Sequence, residues 1–260
     1  MEARRERRLA ENELHLWCLP TSQAERDRLA VRGEAFLSAD ERKRQQAISG
    51  EVRARRYLLG RVLLREALGH HLGCEPGELA FGESENGKLY LIAPEAPPCD
   101  FCLSHSRSQT VVAVALAKGV GIDIEPAHRG ATVLKIARHL FPLAEWRQIA
   151  ALNEQADEAA LSLWTLKESV TKALGCTIWQ GLSEISLSVR GEDLVWLAPP
   201  PQGVAADWVL LLGRFREDHR FAVALWQPSA GLGKLVWKCH QLGGRESLPG
   251  IFEVTAAATP

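Results

Sequence analysis

The chain has 260 residues, 46% of them hydrophobic, so it can bury the core of one large domain or two small ones. Its formal net charge of −1 favours neither nucleic acid nor any other charged partner, so binding of an anion requires a local basic patch. No apolar run approaches the roughly 20 residues that span a bilayer, and the arginine-rich start lacks the apolar segment of a secretory signal. We therefore expect a cytoplasmic protein that binds neither membranes nor nucleic acid.

Two parts of the sequence resemble each other. Leu14–Pro20 matches Val120–Pro126, and each is a strand pattern that ends at proline. Leu58–Gly69 matches Trp164–Gly175, and each has the helical spacing of apolar residues and ends in Ala-Leu-Gly. The recurrence predicts two related halves that pack about a pseudo-twofold axis, with a ligand cleft between them.

Each half reads, in chain order, as a strand, a helix, a long helix and about three strands. The long helices are predicted near Val52–His71 and Asp157–Leu174. The later strands are predicted near Leu79–Phe81, Lys88–Ile92, Phe101–Ser104 and Val111–Ala117 in the first half, and near Ile185–Val189, Leu194–Leu197, Trp208–Phe215 and Phe221–Trp226 in the second. Because the helices precede the strands, the pattern indicates an α+β fold rather than a regular βαβ array.

The predicted organisation has four parts. They are an N-terminal tail at 1–12, a first half at 13–118, a second half at 119–227 and a C-terminal extension at 228–260. The extension is rich in Gly, Ser, Pro and Ala and holds one short apolar element near Leu235–Leu242. We therefore expect its end to be mobile.

The sequence GIDIE places two carboxylates in a predicted strand. Asp123 and Glu125 share a face because strand side chains alternate, and Ile122 and Ile124 then point into the core. Two like charges this close repel each other unless a cation lies between them. Carboxylates with open coordination positions suit Mg²⁺, which binds one or two of them together with substrate phosphates. The alternative is an exposed edge strand with solvated acids, which Pro126 permits.

A second charged cluster lies in the long helix of the second half. Glu168 and Lys172 are four residues apart and share a helix face with Trp164. The equivalent positions of the first half hold Val62 and Glu66, so this half does not reproduce the pair. The alternative is a surface ion pair worth roughly 0.3–0.5 kcal/mol.

Ser104 and His105 form a third polar cluster at the end of a predicted strand. A Ser–His hydrolase would need a G-x-S-x-G nucleophile elbow, which the sequence lacks. Cys99 and Cys102 form a C-x-x-C close to His105, but a zinc site would usually require a second such pair. We therefore expect reduced thiols, with Cys102 packed inward.

Three motifs in a fixed order, FCLSHS, GIDIE and WTLKESVTKALG, resemble those of 4′-phosphopantetheinyl transferases of the surfactin-synthetase-activating type. LFPLAEW and ENGKLYL resemble two further segments of that family, and the resemblance covers Ser38–Leu187. It implies an enzyme that moves the phosphopantetheine arm of coenzyme A onto a serine of an apo acyl or peptidyl carrier protein and releases adenosine 3′,5′-bisphosphate. It also implies a monomer with coenzyme A bound between two similar halves.

The resemblance further implies roles for single residues. Asp123, Glu125 and Glu168 would hold Mg²⁺, with Mn²⁺ as the alternative metal, against the pyrophosphate. Coenzyme A would contact a set of basic and hydroxyl side chains, namely Arg44, Arg56, Lys88, Ser104, His105 and Lys172. The catalytic base that takes the proton of the carrier serine would be Glu145, Glu168 through a water, or Lys172, and we slightly favour Glu145.

The chain departs from the family at Glu41, where the family often has a basic residue. The ligands of the 3′-phosphate on this helix therefore stay open. We expect an acidic carrier to dock around Val133–Arg147, where Lys135, Arg138 and Arg147 supply positive charge. The alternative function is a catalytically inactive protein that binds coenzyme A or a carrier, and the presence of all three carboxylates and of Lys172 argues against it.

Overall fold

The structure is a computed structural model and describes residues 9–95, 99–228, 235–243 and 251–258. Most of the predicted tail, at 1–8, and parts of the predicted extension lie outside the described residues. Within them, no helix combines the length and the apolar character needed to cross a membrane.

The first half begins with a strand, continues with three helices and ends with four strands. Its elements are β1 (Glu13–Cys18), α1 (Gln23–Gly33), α2 (Ala39–Ala47), α3 (Glu51–Leu72), β2 (Ala80–Glu83), β3 (Leu89–Ala93), β4 (Asp100–His105) and β5 (Thr110–Ala115). A capping box between Ser38 and Glu41 begins α2. Gly73, in the left-handed conformation, ends the long helix α3.

The second half repeats this order of elements. It contains β6 (Gly119–Pro126), α4 (Gly130–Leu140), α5 (Leu143–Ala150), α6 (Ala156–Leu174), α7 (Ile178–Glu184), β7 (Leu187–Arg190), β8 (Asp193–Trp196), β9 (Trp208–Phe215) and β10 (His219–Trp226). The α+β class and both long helices agree with the prediction. The sequence predicted one short helix before each long helix, whereas the structure has two, and the four later strands predicted in each half are present.

The strands form two larger sheets and one small hairpin. The first sheet has the order β11-β1-β5-β4, and the second has the order β6-β10-β9-β12-β8-β7. In the first half β1 pairs antiparallel with β5, and β5 pairs antiparallel with β4. In the second half β6 pairs antiparallel with β10, and β10 pairs antiparallel with β9. The strands β2 and β3 pair with each other in a separate two-stranded sheet.

The C-terminal region differs from the prediction. The strand β11 (Val236–Gln241) pairs in parallel with β1, and β12 (Phe252–Ala258) lies between β9 and β8 in the second sheet. The expected mobile end is therefore wrong for the residues of β12. Composition suggested a loose end, but the backbone groups of these strands are satisfied by partners that lie far away in the sequence.

The core has three parts, and they give the molecule four layers. One apolar cluster joins the facing surfaces of the two sheets and includes Ile122 and Ile124, as predicted. A second packs α1 and α3 against the outer face of the first sheet, and a third packs the helices of the second half against the outer face of the second. Asp123 and Glu125 alternate with the isoleucines, so they point toward the helices, and this places the site.

Candidate active site

The strand β6 and the helix α6 together hold three carboxylates. Asp123 and Glu125 lie on β6 and are 3% and 8% exposed, and Glu168 lies on α6. One carboxylate oxygen from each residue lies within 4.8 Å of the other two. The structure thus brings together the three residues that the sequence singled out as metal ligands, and it excludes the alternative of solvated acids on an exposed strand.

A glycine explains why the helix and the strand come so close. A Cβ atom at Gly121 would lie 1.8 Å from the backbone oxygen of Ser169, so any side chain here would push α6 away from β6. The close approach places the face of α6 that carries Glu168 directly over the carboxylates of β6. The glycine of the GIDIE motif is therefore required by packing.

Glu125 and Glu168 have raised pKa values. Burial, followed by the charge of Asp123, raises the pKa of Glu168 to about 7, and Lys172 opposes that rise. Burial and Asp123 likewise raise the pKa of Glu125, which forms an ion pair with Arg129. Such shifts show that negative charge is in excess and that a cation would stabilise the ionised cluster.

One oxygen of the cluster has no partner among the described residues. Asp123 Oδ2 is buried and receives no hydrogen bond there, a costly arrangement for a carboxylate. Three carboxylate oxygens with an unsatisfied one among them match the hard oxygen ligands that Mg²⁺ and Mn²⁺ prefer. The residues present therefore fit a divalent cation.

Lys172 connects the carboxylates to the rest of the site. Its Nζ lies 2.6 Å from Asp123 Oδ1 and 3.7 Å from Glu168 Oε2. Burial alone would lower the pKa of Lys172, but the neighbouring carboxylates outweigh burial and raise it. Lys172 therefore stays protonated at neutral pH, which suits a phosphate ligand and argues against the role of base.

Ser104 lies next to the carboxylates and is buried. Its hydroxyl donates to Asp123 Oδ1 over 3.0 Å and accepts a hydrogen bond from Lys172 Nζ over 3.1 Å. We expected Ser104 to contact the nucleotide directly. Its hydroxyl is directed at Asp123 and so orients this carboxylate, and the contact with the nucleotide stays a prediction.

A cleft of about 590 Å³ opens beside this cluster, between the two halves. Of the predicted coenzyme A contacts, the lining includes Arg44, Arg56, Lys88, His105 and Lys172. It also includes residues that the sequence did not single out, among them Arg53, Tyr57, Arg61, Glu83 and Asn86. Arg53 and Arg56 are three residues apart on α3 and share one face of the helix, a signal that could have identified Arg53.

The charged side chains of the lining shift the pKa values of His105 and Arg44 in opposite directions. Burial, followed by Arg56 and Lys172, lowers the pKa of His105, so the imidazole is neutral at neutral pH. Arg44 donates hydrogen bonds to Glu83, which raise the pKa of Arg44 and lower that of Glu83. Arg44 therefore lines the cleft while its guanidinium group is paired with Glu83.

The structure explains the departure at Glu41. This side chain is buried, and its carboxylate lies 2.5 Å from Arg65 and 3.6 Å from Arg61. Arg65 also donates to the backbone oxygens of Pro76 and Leu79. Glu41 is therefore part of the interior, and the basic side chains that face the cleft come from Arg44 and from α3.

Glu145 does not lie at the site that the prediction gave it. Glu145 and Lys167 are both 0% exposed in their side chains and form an ion pair of 2.7 Å. The carboxylate also accepts the N–H of Leu187, and Lys167 donates to the backbone oxygens of Leu182 and Ile185. A group so enclosed cannot take a proton from a serine of another protein, so our preference for Glu145 as the base is corrected.

The cysteines give no second metal site. Within the described part of the chain, the carboxylate cluster is the one group of three or more Asp, Glu, His or Cys side chains close enough to share an ion. Cys102 is buried and packs against the inter-sheet core, as predicted. All six cysteines are unpaired thiols.

A carboxylate cluster that could hold a metal ion, beside a basic cleft on an α+β scaffold, suits a phosphorylated ligand. Comparison with known proteins identifies the class. A family profile described as the 4′-phosphopantetheinyl transferase superfamily matches residues 119–224.

Three relatives carry the same name. The 4′-phosphopantetheinyl transferase HetI of Nostoc sp. is 32% identical over 226 residues, which cover 85% of this chain and 92% of that protein. A 4′-phosphopantetheinyl transferase of Bacillus subtilis is 31% identical over 182 residues, or 70% of this chain and 77% of the relative. The transferase AcpT of Escherichia coli O157:H7 is 36% identical over 177 residues, or 64% and 86%. The chain therefore belongs to the 4′-phosphopantetheinyl transferase superfamily.

Proposed function

We propose that the protein transfers the 4′-phosphopantetheine arm of coenzyme A to a serine of an apo acyl or peptidyl carrier protein, with Mg²⁺ as cofactor and adenosine 3′,5′-bisphosphate as the second product. The observation that supports this most strongly is the junction of the carboxylate cluster with the basic cleft. Lys172 lines the cleft and pairs with Asp123 and Glu168, so the two sites adjoin and together suit a ligand that carries phosphates and a metal ion.

The walls of the cleft bind and orient the nucleotide end of coenzyme A. Arg56 and the other cationic side chains of α3 bind phosphate, and Arg44 exchanges Glu83 for phosphate when the ligand enters. The neutral His105 donates a hydrogen bond to a phosphate oxygen near the carboxylates. The charge on this side of the cleft accounts for affinity in a chain whose net charge is close to zero.

The second half supports the chemical step. Asp123, Glu125 and Glu168 would hold the metal, which would neutralise charge on the pyrophosphate as the bond to the leaving group breaks. Lys172 keeps its proton and binds the transferring phosphoryl group. Glu168, one helical turn before Lys172, accepts the proton of the carrier serine through a water molecule.

We propose that the carrier docks on α4 and α5. Lys135, Arg138 and Arg147 are exposed on these helices, and Leu143, with 61% of its surface exposed, supplies an apolar contact among them. Positive charge of this kind accelerates encounter with an acidic partner and weakens with salt. Reversal of Lys135 and Arg147 to glutamate should therefore raise KM for the carrier and leave KM for coenzyme A unchanged.

Intact-mass analysis of an apo carrier protein tests the proposal. The carrier is incubated with coenzyme A, Mg²⁺ and the enzyme, with and without a chelator. The proposal expects a gain of one phosphopantetheine arm that the chelator abolishes. Binding of coenzyme A without any mass gain on acyl or peptidyl carriers would favour the alternative of an inactive binding protein. A single chain contains both walls of the cleft, so we also propose a monomer, which light scattering during gel filtration tests.

A further inference from the structure

The β2–β3 hairpin forms one wall of the cleft. Glu83 and the residues from Asn86 to Leu89 line the cavity, yet the two strands of the hairpin pair with each other and lie outside the two larger sheets. An isolated two-stranded hairpin is marginally stable and needs other contacts to hold its position. The turn of this hairpin finds those contacts on the second half of the chain.

Lys88 uses its ammonium group to bind protein atoms. Its Nζ lies 2.5 Å from Asp100 Oδ2, 2.9 Å from the backbone oxygen of Ala173 and 3.3 Å from that of Val120. An ammonium group has three N–H donors, and these three acceptors satisfy all of them. Lys88 is therefore committed to the seam between the halves, whereas the resemblance had implied a direct phosphate contact.

Asn86 and Asp100 complete the connection. Asn86 Nδ2 donates to the backbone oxygen of Gly175 over 2.9 Å, immediately after α6 ends. Asp100 Oδ2 accepts the N–H of Val120 over 2.7 Å, in addition to Lys88. The hairpin turn, the start of β4, the start of β6 and the end of α6 thus meet at one point. We call Asn86, Lys88 and Asp100 the hairpin tether.

The end of a helix is a favourable place for such contacts. The last carbonyl groups of a helix lack partners within it, and the helix dipole places partial negative charge there. The tether supplies a cation and an amide donor to the carbonyl groups at the end of α6. The same helix carries Lys172 next to Ala173, and Glu168 one turn earlier.

We propose that the hairpin tether is a set of positioning residues that fixes the cleft wall and the end of α6 relative to each other. The tether thereby sets the distance between the nucleotide-binding wall and the side chains of Glu168 and Lys172. This inference rests on the proposed function, because the ligand that it positions is coenzyme A. It assigns Asp100, which no motif singled out, a part in substrate binding.

Asp100→Asn distinguishes a tether from a phosphate ligand, because the two roles predict opposite changes in the affinity for coenzyme A. If Lys88 were a phosphate ligand restrained by Asp100, the substitution would free its ammonium group and coenzyme A would bind more tightly. If the tether operates, the wall loosens, and the dissociation constant for coenzyme A rises about tenfold, the effect of one hydrogen bond between charged groups. The amide oxygen of the new side chain would still accept the N–H of Val120, so the substitution removes mainly the charge.

The experiment measures coenzyme A binding by calorimetry for Asp100→Asn, Lys88→Gln and the double variant, with the exposed Asp193→Asn as the matched control. The tether predicts a similar loss in both single variants, no further loss in the double variant, and no change in the control. In turnover, KM for coenzyme A should rise while KM for the carrier stays constant. Tighter binding by Asp100→Asn, or additive losses, would overturn the proposal.

Amide hydrogen exchange of the ligand-free protein gives a readout that needs neither binding nor turnover. The tether predicts faster exchange in the last turn of α6 and in the 84–88 turn of Asp100→Asn, and parental exchange in Asp193→Asn. If Asp100→Asn does not fold, Asn86→Ala replaces it, with the same expectation for the end of α6. Unchanged exchange there would refute the tether, whereas a parent enzyme that transfers no phosphopantetheine would refute the proposed function alone.

Discussion

The two halves of the chain use the same elements for different purposes. At the end of β1, Trp17 and Leu19 are buried and pack against α1 and α3. At the equivalent place in β6, Asp123 and Glu125 face α6 and form the acidic cluster. The end of β1 thus completes a hydrophobic core, whereas the equivalent positions of β6 carry the acidic cluster in place of core residues. The comparison teaches that two segments with the same order of elements can use it for packing in one half and for a charged site in the other.

Both halves hold their long helix with a buried glutamate from a shorter helix. In the first half Glu41 of α2 binds Arg65, and in the second Glu145 of α5 binds Lys167. Burial raises the pKa of Glu145 and lowers that of Lys167, which shows how far this second pair has been removed from water. These two buried pairs serve stability. Glu168 and Lys172 of α6 lie instead at the carboxylate cluster.

The largest effect is expected at the carboxylates of the second half. Asp123→Asn should lower kcat about a thousandfold or more, because the metal loses a buried anionic ligand. The fold should persist, since the substitution also removes a repulsion with Glu168. Mass analysis of the carrier measures the rate, and thermal unfolding checks the fold. A variant that turns over at the parental rate would contradict the assignment of Asp123.

Loss of a buried partner should come next. Glu145→Gln leaves Lys167 charged and enclosed, so the free energy of unfolding should fall by about 3–5 kcal/mol. The remaining folded enzyme should keep a kcat near that of the parent, because the pair lies away from the cleft. Denaturant titration measures the first quantity and active-enzyme kinetics the second. Parental stability together with a large fall in kcat would restore Glu145 as the base.

The equivalent position in the first half should respond in stability. Leu19 is 2% exposed and corresponds to Glu125, so Leu19→Ala should lower the free energy of unfolding by about 2–4 kcal/mol through the cavity that it leaves. Its kcat at a temperature where the variant is folded should stay close to that of the parent. If Leu19→Ala instead abolished metal binding while the fold stayed stable, the division of roles between the halves would be wrong.

The overall class, both long helices and the shared face of Asp123 and Glu125 could be predicted from the sequence because their signals are local, whereas the resemblance added Glu168 to the carboxylates. The pattern of β6, the spacing of Glu168 and Lys172, and the apolar periodicity of both long helices each lie within a single element. The remote partners could not be predicted. The resemblance gave Glu145 the role of base, and nothing in the sequence showed that Lys167 encloses its carboxylate in a buried ion pair. Asp100 was not recognised as the partner of Lys88, whose phosphate contact stays a prediction.

The C-terminal strands show the same limit. Their Gly- and Ser-rich surroundings predicted a loose end, and nothing near β12 in the sequence reveals that it fits between β9 and β8. Partner choice in a sheet depends on which edges remain open after the rest of the chain has folded. The position of β12 between β9 and β8 therefore depends on the tertiary structure and cannot be predicted from the sequence of β12 itself.

The smallest effect concerns the attachment of β11 to the first half. His240 of β11 stacks on Trp17 and lies 2.9 Å from His15 of β1, with Glu13 and Lys238 nearby. Burial, followed by His15 and His70, lowers the pKa of His240 to about 3, and burial also lowers that of His15.

In the unfolded chain these histidines titrate near 6.5, so below that pH the unfolded state binds more protons than the folded state. The free energy of unfolding should therefore be highest, as far as these histidines affect it, above about pH 6.5, and it should fall as the pH falls toward 3. For His240 the loss at about pH 5 should be on the order of 2 kcal/mol. Denaturant titration of His240→Gln should show a shallower loss between about pH 7.5 and 5 than that of the exposed control His139→Gln. Equal slopes would contradict this account.

The central claim is that the second half carries a divalent metal site at one end of the cleft, and Mn²⁺ binding tests it most directly. Electron paramagnetic resonance counts free Mn²⁺ as the protein is titrated in the presence of coenzyme A. The account predicts one bound Mn²⁺ per chain for the parent and for Leu19→Ala, and none at the same concentrations for Asp123→Asn. Parental binding by Asp123→Asn would contradict it.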